Sequence, residues 1–419
     1  MLFDAPISIL TGALLAGILL WSARATALGA LSLPAVFAIT GLTYFYLMPA
    51  LAAATEQTAF GLRLETLEHA HALVFLYGAG AALAFAYAKP TLAHSLAKSR
   101  AESIHNPWAN KLLWGLAILG IAYLAASSRL NLLAQSEFTL DRDAISQFAF
   151  INQAFNLLLP LVLISLWRNK FNLTSLLILI AACAIFLQAG FRFRIAILLC
   201  ASVTLYFVQQ NKRPTLIAAS LATIAGIYIV NLIGQIRRYG QGLDLSRLDT
   251  SAGQNVFASF GGELSIVTVT ERLAENPPNT LITFDPWLIA ASRLVPSFIW
   301  PDKPEAHYLS LYPAALGVEG ARGAGVAAPQ QAEFLLQFGW LGVAPLSFLY
   351  FSVACGIYKA LLRRGRDAAV VGACLIPAFF GYYMQTRGYF FQILIDGAFI
   401  IAPIFLIYST KRAQQALQT

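Results

Sequence analysis

The chain has 419 residues, of which 58% are hydrophobic and only 11% charged, with a mean hydropathy of +0.67. A soluble protein of this length needs far more polar material for its surface, so the composition excludes a water-soluble globular fold. The formal charge of +8 must first be sorted by membrane side, and no nucleic-acid-binding motif accompanies it.

Apolar runs long enough to cross a hydrocarbon slab of about 30 Å as helices fall near 6–22, 31–51, 71–88, 111–126, 146–167, 172–189, 195–210, 214–235, 330–357, 368–385 and 389–409. The fold class expected is therefore all-α, a polytopic membrane protein of about 11 transmembrane helices. The chain divides into eight spans over 1–236, a long loop over 237–329, and three spans with a short tail over 330–419. The first run follows Asp4 rather than a basic segment and reads as an uncleaved span. Cys183, Cys200, Cys355 and Cys374 lie inside apolar runs, at spacings that fit neither a zinc site nor a disulfide frame.

The short links set the orientation. Lys89, Lys98 and Arg100, then Arg168 and Lys170, then Lys212 and Arg213, then Lys359, Arg363, Arg364 and Arg366, and finally Lys411 and Arg412 all fall on one side. The positive-inside rule makes that side cytoplasmic and puts the N-terminus and the long loop outside. The basic residues left on the outer side then stand out. Arg192 and Arg194 sit in the short turn Gly190–Arg194, Arg387 sits in Gln385–Gly388, Arg237 and Arg238 end the eighth span, and Arg293 and Lys303 lie in the loop. Single arginines at an interface often snorkel, but guanidinium groups converging at one boundary suit a bidentate anion such as a diphosphate.

Polar faces mark several helices. Asn231, Gln235 and Arg238 share one face of the eighth span, and Gln330, Glu333 and Gln337 share one at the start of the ninth. Gln392 and Asp396 pair in the last span, where an intramembrane aspartate calls for an arginine partner or a chemical role. Asn152 and Asn156 read as interhelical hydrogen-bonding residues, as do the glutamines. Inside the loop, helices are expected over Gln254–Glu275, Trp287–Val295 and Tyr308–Leu316, with a bend at Gly261-Gly262 and an N-cap at Asp285. The glycine-rich stretch Gly317–Ala328 reads as a mobile lid.

No P-loop, His-Glu-x-x-His or Gly-x-Ser-x-Gly motif is present, and Glu68-His69-Ala70-His71 is a weak metal signal without a third ligand. His307, the one loop histidine, is a candidate base. Among the outer carboxylates, Glu263 and Glu333 sit among apolar neighbours, where an unpaired charge is expensive, and are the stronger chemical candidates.

Three segments carry a family resemblance. Gly190-Phe191-Arg192 is similar to a Gly-x-Arg outer turn. Val295–Pro304, with Trp300-Pro301-Asp302-Lys303-Pro304, resembles a Pro-x-x-hydrophobic-Trp-Pro-x-Lys-Pro segment. Glu333-Phe334-x-x-Gln337-Phe338-Gly339-x-x-Gly342 resembles a Glu-x-x-x-Asn-Phe-Gly-x-x-Gly entry to the following span, with Gln337 where asparagine is common. Together they resemble the Wzy-type oligosaccharide repeat-unit polymerases, which make O-antigen or exopolysaccharide. The resemblance implies a GT-C-like membrane glycosyltransferase in the bacterial inner membrane with a periplasmic loop and a cytoplasmic C-terminus. It would transfer a glycan from undecaprenyl diphosphate to a lipid-diphosphate-linked repeat unit, with no cofactor or metal. A chain-length regulator and a flippase are its expected partners. On this reading Arg192, Arg194, Arg237, Arg238 and Arg387 contact diphosphate, Glu333 leads as general base with Glu263 second, and Arg293, Trp300, Lys303 and His307 serve loop or sugar contacts. An O-antigen ligase and a lipid-linked glycan flippase are the alternatives. The Gln330-Gln331 pair, where the ligases carry histidine and asparagine, favours the polymerase.

Overall fold

The computed structural model describes residues 5–54, 67–93, 103–126, 154–189, 191–221, 226, 237–238, 242–243, 252–279, 281–295, 299–304, 307–315, 329–387 and 390–409. It is mostly helical. The long helices are α1 (Pro6–Ala25), α2 (Leu33–Ala54), α3 (Glu68–Tyr87), α4 (Pro107–Ala126), α5 (Ala154–Arg168), α6 (Leu173–Gln188) and α7 (Arg192–Gln209), then α8 (Ala252–Glu275), α9 (Asp285–Leu294), α10 (Gln330–Arg363), α11 (Arg366–Thr386) and α12 (Phe390–Ile407). Among the described residues six of them, α1, α2, α3, α7, α10 and α11, are long and apolar enough to cross a membrane. The chain is a membrane protein.

Pairings at the helix ends show how the bundle alternates. At one end, Ser8 at the start of α1 is hydrogen-bonded to His71 at the start of α3 (2.9 Å), and the Tyr46 hydroxyl near the end of α2 donates to the Ser8 carbonyl. At the other end, the Ala27 amide donates to the Leu92 carbonyl (2.9 Å), and the Asn106 amide to that of Ile407 (2.7 Å). There a two-stranded pair, β1 (Ile104–His105) with Tyr408–Ser409, ties the approach to α4 to the exit of α12. Arg168 at the end of α5 reaches His105 (2.7 Å), and Trp167 donates to Asp367 at the start of α11 (2.9 Å). Arg168, Arg364 and Arg366 thus gather at this second end, and burial together with the Arg168 charge pulls the His105 pKa below its ordinary value.

In hydrocarbon, helices associate by close packing and hydrogen bonds rather than by water exclusion. The main contact pairs α3 with α10, and small residues bring the two backbones together. A Cβ on Gly80 would lie 2.2 Å from the Ala344 carbonyl oxygen. The Ser347 hydroxyl, one turn on, donates to the Tyr77 carbonyl (2.6 Å). Phe37, Tyr77, Phe85 and Phe351 meet edge-on or tilted around this crossing, with ring centroids 5.0–5.8 Å apart.

Helix α10 departs from the expectation of one continuous span. Its path breaks at Phe338 (φ −137°, ψ 18°) and Gly339 (φ 66°, ψ −170°), separating a half-helix over 330–337 from the segment that follows. The backbone angles of Gly339 are reached readily only without a Cβ. A Cβ on Gly342 would sit 2.3 Å from the Phe338 Cβ. Phe338-Gly339-x-x-Gly342 is therefore a bend with physical requirements at each glycine. Every residue of the half-helix is buried. Phe334 and Leu335 join the main core, while Ala332 and Leu336 join a second core made by Val269 and Leu273 of α8, Ile282, Ile289 of α9, Tyr308 and Tyr312. The half-helix is held between the two.

Four further expectations are corrected. Helix α7 begins at Arg192 rather than 195, so both arginines lie in its first turn and not in the preceding link. Arg237 and Arg238 form a two-residue strand, β2, paired antiparallel with β3 (Gly242–Leu243), so the helical face drawn from Asn231 and Gln235 does not extend to Arg238; those two residues lie outside the described residues. Helix α8 continues through Gly261-Gly262 without interruption. The N-cap of α9 is Phe284, and Asp285 is the first helical residue, where its charge faces the positive end of the helix dipole.

Candidate active site

Pro329, in an extended conformation, starts the half-helix, and its carbonyl accepts from the amides of Ala332 (3.0 Å) and Glu333 (3.3 Å). Glu333 is thereby placed in the first turn, where the helix dipole favours a carboxylate. Its side chain is 0% exposed. The Tyr308 hydroxyl donates to Oε1 (3.2 Å) and the Gln330 amide nitrogen to Oε2 (3.4 Å). Both contacts are donors, as a buried carboxylate requires. One turn further on, the Gln337 Oε1 accepts from the indole nitrogen of Trp287 on α9 (3.2 Å). The Ile282 amide donates to the Leu336 carbonyl (2.9 Å), closing the loop onto the half-helix a second time.

Arg192 and Arg194 occupy the N-terminal turn of α7, where a cation opposes the helix dipole. Compensation for Arg194 is visible. Its Nε donates to Asn156 Oδ1, and a terminal nitrogen lies 3.8 Å from Asp396 Oδ1. The guanidinium also lies over Phe191 (4.2 Å) and Phe155 (5.2 Å), whose rings stack at 5.0 Å. Asp396 in turn accepts from Asn156 Nδ2 (3.4 Å) and the Tyr383 hydroxyl (3.5 Å). The arginine expected as a partner for Asp396 is thus Arg194, and Asn156 joins both. Arg192 is half-buried, with its guanidinium 4.8 Å from the Phe193 ring.

Packing gathers the elements that carry the remaining candidates. Helix α7 packs on the Pro377–Tyr383 stretch of α11, the short helical turn Met384–Arg387 packs on α10, and α9 packs on α12. The start of α7, the turn at Arg387 and the Glu333 half-helix therefore belong to one end of the bundle. Glu263 lies on α8, Arg293 on α9, Arg237 and Arg238 on β2, and Arg387 in the turn Met384–Arg387; the side chains of these five lie outside the described residues. The lid stretch from 317 to 328 lies outside them too. Trp300 is 37% exposed, and His307 is exposed at the start of a short 3-10 helix. The Lys303 ammonium donates to the Val295 carbonyl, tying the Trp300–Pro304 turn back to the end of α9.

One carboxylate escaped the sequence reading. Glu271 of α8 is buried, and it reaches the start of α3, where Oε2 accepts from the Ala70 amide (2.6 Å) and Oε1 meets His69 Nδ1 (2.9 Å). Burial pushes its carboxyl above the ordinary range, against the opposing pull of Ala70 and His69. A signal was present: Glu271 falls four residues after Val267 and seven after Leu264, inside the apolar stripe of its helix. His71 turns instead to Ser8 and to the Phe45 carbonyl (3.0 Å), so the two histidines serve different partners. Among the described residues no three His, Cys, Asp or Glu side chains are grouped as metal ligands.

A family model described as O-antigen polysaccharide polymerase Wzy matches residues 121–413, a span that takes in α5–α12 and the whole Glu333 and Arg194 surroundings. No curated protein matches the chain, and no solved structure matches it.

Proposed function

The chain belongs to the O-antigen polysaccharide polymerase Wzy family, membrane polymerases of glycosyltransferase type that act on lipid-linked oligosaccharide repeat units, and we propose the following chemistry for it. The donor is a glycan on undecaprenyl diphosphate, and the acceptor is a single lipid-diphosphate-linked repeat unit. An acceptor hydroxyl oxygen attacks the anomeric carbon of the donor, the bond from that carbon to the diphosphate oxygen breaks, and its electron pair leaves with the diphosphate. Glu333 takes the hydroxyl proton. The observation that supports this assignment is the buried carboxylate of Glu333, held by the donors Tyr308 and Gln330.

Arg192 leads the diphosphate contacts, with Arg237, Arg238 and Arg387 completing them as negative charge grows on the leaving group. Arg194 is engaged with Asn156 and Asp396, so its part is to hold the start of α7 that presents Arg192. Glu263 is the second candidate base, and Arg293, Trp300, Lys303 and His307 serve the loop and the sugars. The fold is GT-C-like with about 11 spans. The 237–329 loop is a periplasmic unit, and the C-terminus is cytoplasmic at the bacterial inner membrane. No nucleotide sugar or ATP is needed, because the bond energy comes from the diphosphate leaving group. A flippase delivers the substrate and a chain-length regulator limits the product.

The test uses the purified protein in proteoliposomes, supplied with its own lipid-diphosphate-linked repeat unit. A ladder of polymer is expected, and Glu333→Gln should lower its rate by about 10²-fold or more with insertion unchanged. Transfer to a different lipid acceptor instead of a ladder means a ligase. Translocation without new glycosidic bonds means a flippase. Either result overturns the reading.

A further inference from the structure

Gln330 and Gln337 stand on the same helical face as Glu333, three residues before it and four after. Both side chains are 0% exposed. Each amide is tied at one end and open at the other. Gln330 gives its Nε2 to Glu333, while its Oε1 has no hydrogen-bond partner among the described residues. Gln337 accepts from Trp287 through Oε1, while its Nε2 has no partner among the described residues. The orientations follow from the chemistry of the tied ends, since a carboxylate needs a donor and an indole N–H needs an acceptor. A buried polar atom left unmatched is costly, and interhelical bonding residues of the kind expected from the sequence would match both ends.

We propose that Gln330 and Gln337 are sugar-binding residues that bracket Glu333, using the open Oε1 of one and the open Nε2 of the other to hold hydroxyl groups of the repeat unit on either side of the reacting hydroxyl. This rests on the polymerase reading above. One open acceptor and one open donor match hydroxyls, each of which donates and accepts. Seven residues of helix rise about 10 Å, roughly the length of two sugar rings, with Glu333 between them. Because the amides are occluded in this structure, the ligand has to enter by moving the loop core made by Tyr308, Tyr312, Ile282 and Ile289, to which the half-helix is attached. The recognition sites are fixed on the same two turns as the base, so a repeat unit bound by both amides lies beside the carboxylate and is held alike in the ground state and the transition state.

The experiment measures kcat and KM in proteoliposomes with the protein's own lipid-diphosphate-linked repeat unit, together with thermal unfolding of each variant. Gln337→Leu is expected to raise KM by about ten-fold or more, with kcat within about three-fold and no loss of thermal stability. Gln330→Leu also removes a contact of Glu333 and is expected to change both KM and kcat. Trp287→Phe removes the indole N–H but keeps the amide, and should raise KM much less than Gln337→Leu does. The proposal is overturned if KM is unchanged in Gln337→Leu. It is equally overturned if Trp287→Phe matches that variant, or if activity falls only as stability falls, since the amides then hold the loop or ordered water. If Glu333→Gln still polymerises at the wild-type rate, the underlying reading fails instead.

Discussion

The carboxylate of Glu271 lies 2.6 Å from the backbone amide of Ala70, so α8 supplies a cap to the start of α3, about 200 residues away in sequence. The bond meets an amide of the first helical turn, which has no acceptor within its own helix. Replacement by alanine should cost about 1–2 kcal/mol, the usual range for loss of a helix cap. Limited proteolysis of the loop and thermal unfolding in detergent would detect it.

The same carboxyl predicts a pH dependence. Its pKa in the folded protein is raised, chiefly by burial, so the folded state binds the proton more tightly than the unfolded chain. Its stabilising contribution is complete below the ordinary glutamate pKa and is lost as pH rises through the raised folded value. Glu271→Gln, which cannot ionise, should flatten the stability profile across that window. A profile identical to wild type would show that other groups dominate.

Arg194 and Asp396 form an ion pair with side chains 12% and 5% exposed. Asp396→Ala leaves a guanidinium in the interior without its counter-charge and should cost about 3 kcal/mol or more. The double variant Arg194→Met with Asp396→Leu removes both charges and should unfold closer to wild type than either single change. Thermal unfolding of all three variants makes the comparison.

Arg192 tests the anion contact separately. Arg192→Ala should lower kcat/KM by about 10²-fold, while Arg192→Lys recovers only part of it, because a point charge replaces a planar fork. The contrast between the two variants in the proteoliposome assay distinguishes anion binding from packing against Phe193.

Gly339→Ala places a Cβ where φ is +66°, at a strain of about 1–3 kcal/mol. Polymer formation should fall further than the stability loss explains, since the strain re-aims the half-helix that bears Glu333.

The membrane helices were legible because hydropathy marks apolar runs of spanning length, and six of the described helices are long and apolar enough to cross a membrane. The need of Asp396 for an arginine was legible because buried charge demands a partner, although the sequence does not say which. The bend at Phe338-Gly339 was not, since glycine within an apolar run reads equally as close packing. Arg192 and Arg194 were misplaced by one turn, because a hydropathy boundary stops at charge and a helix does not. Glu271 was marked only by its place in the apolar stripe, because its partner lies in a distant stretch of chain that local pattern does not reveal.

The break in α10 also bears on how this protein could be recombined with relatives. Ala332 and Leu336 belong to the loop's core, while the change of direction comes only at Gly339. A chimera joined at Pro329 would set one protein's loop against another's half-helix and mismatch that core. A junction after Gly339 transplants the loop, its core and Glu333 as one piece, and should preserve folding where the earlier junction does not. The natural seam of exchange is therefore ten residues beyond the point where the apolar run begins.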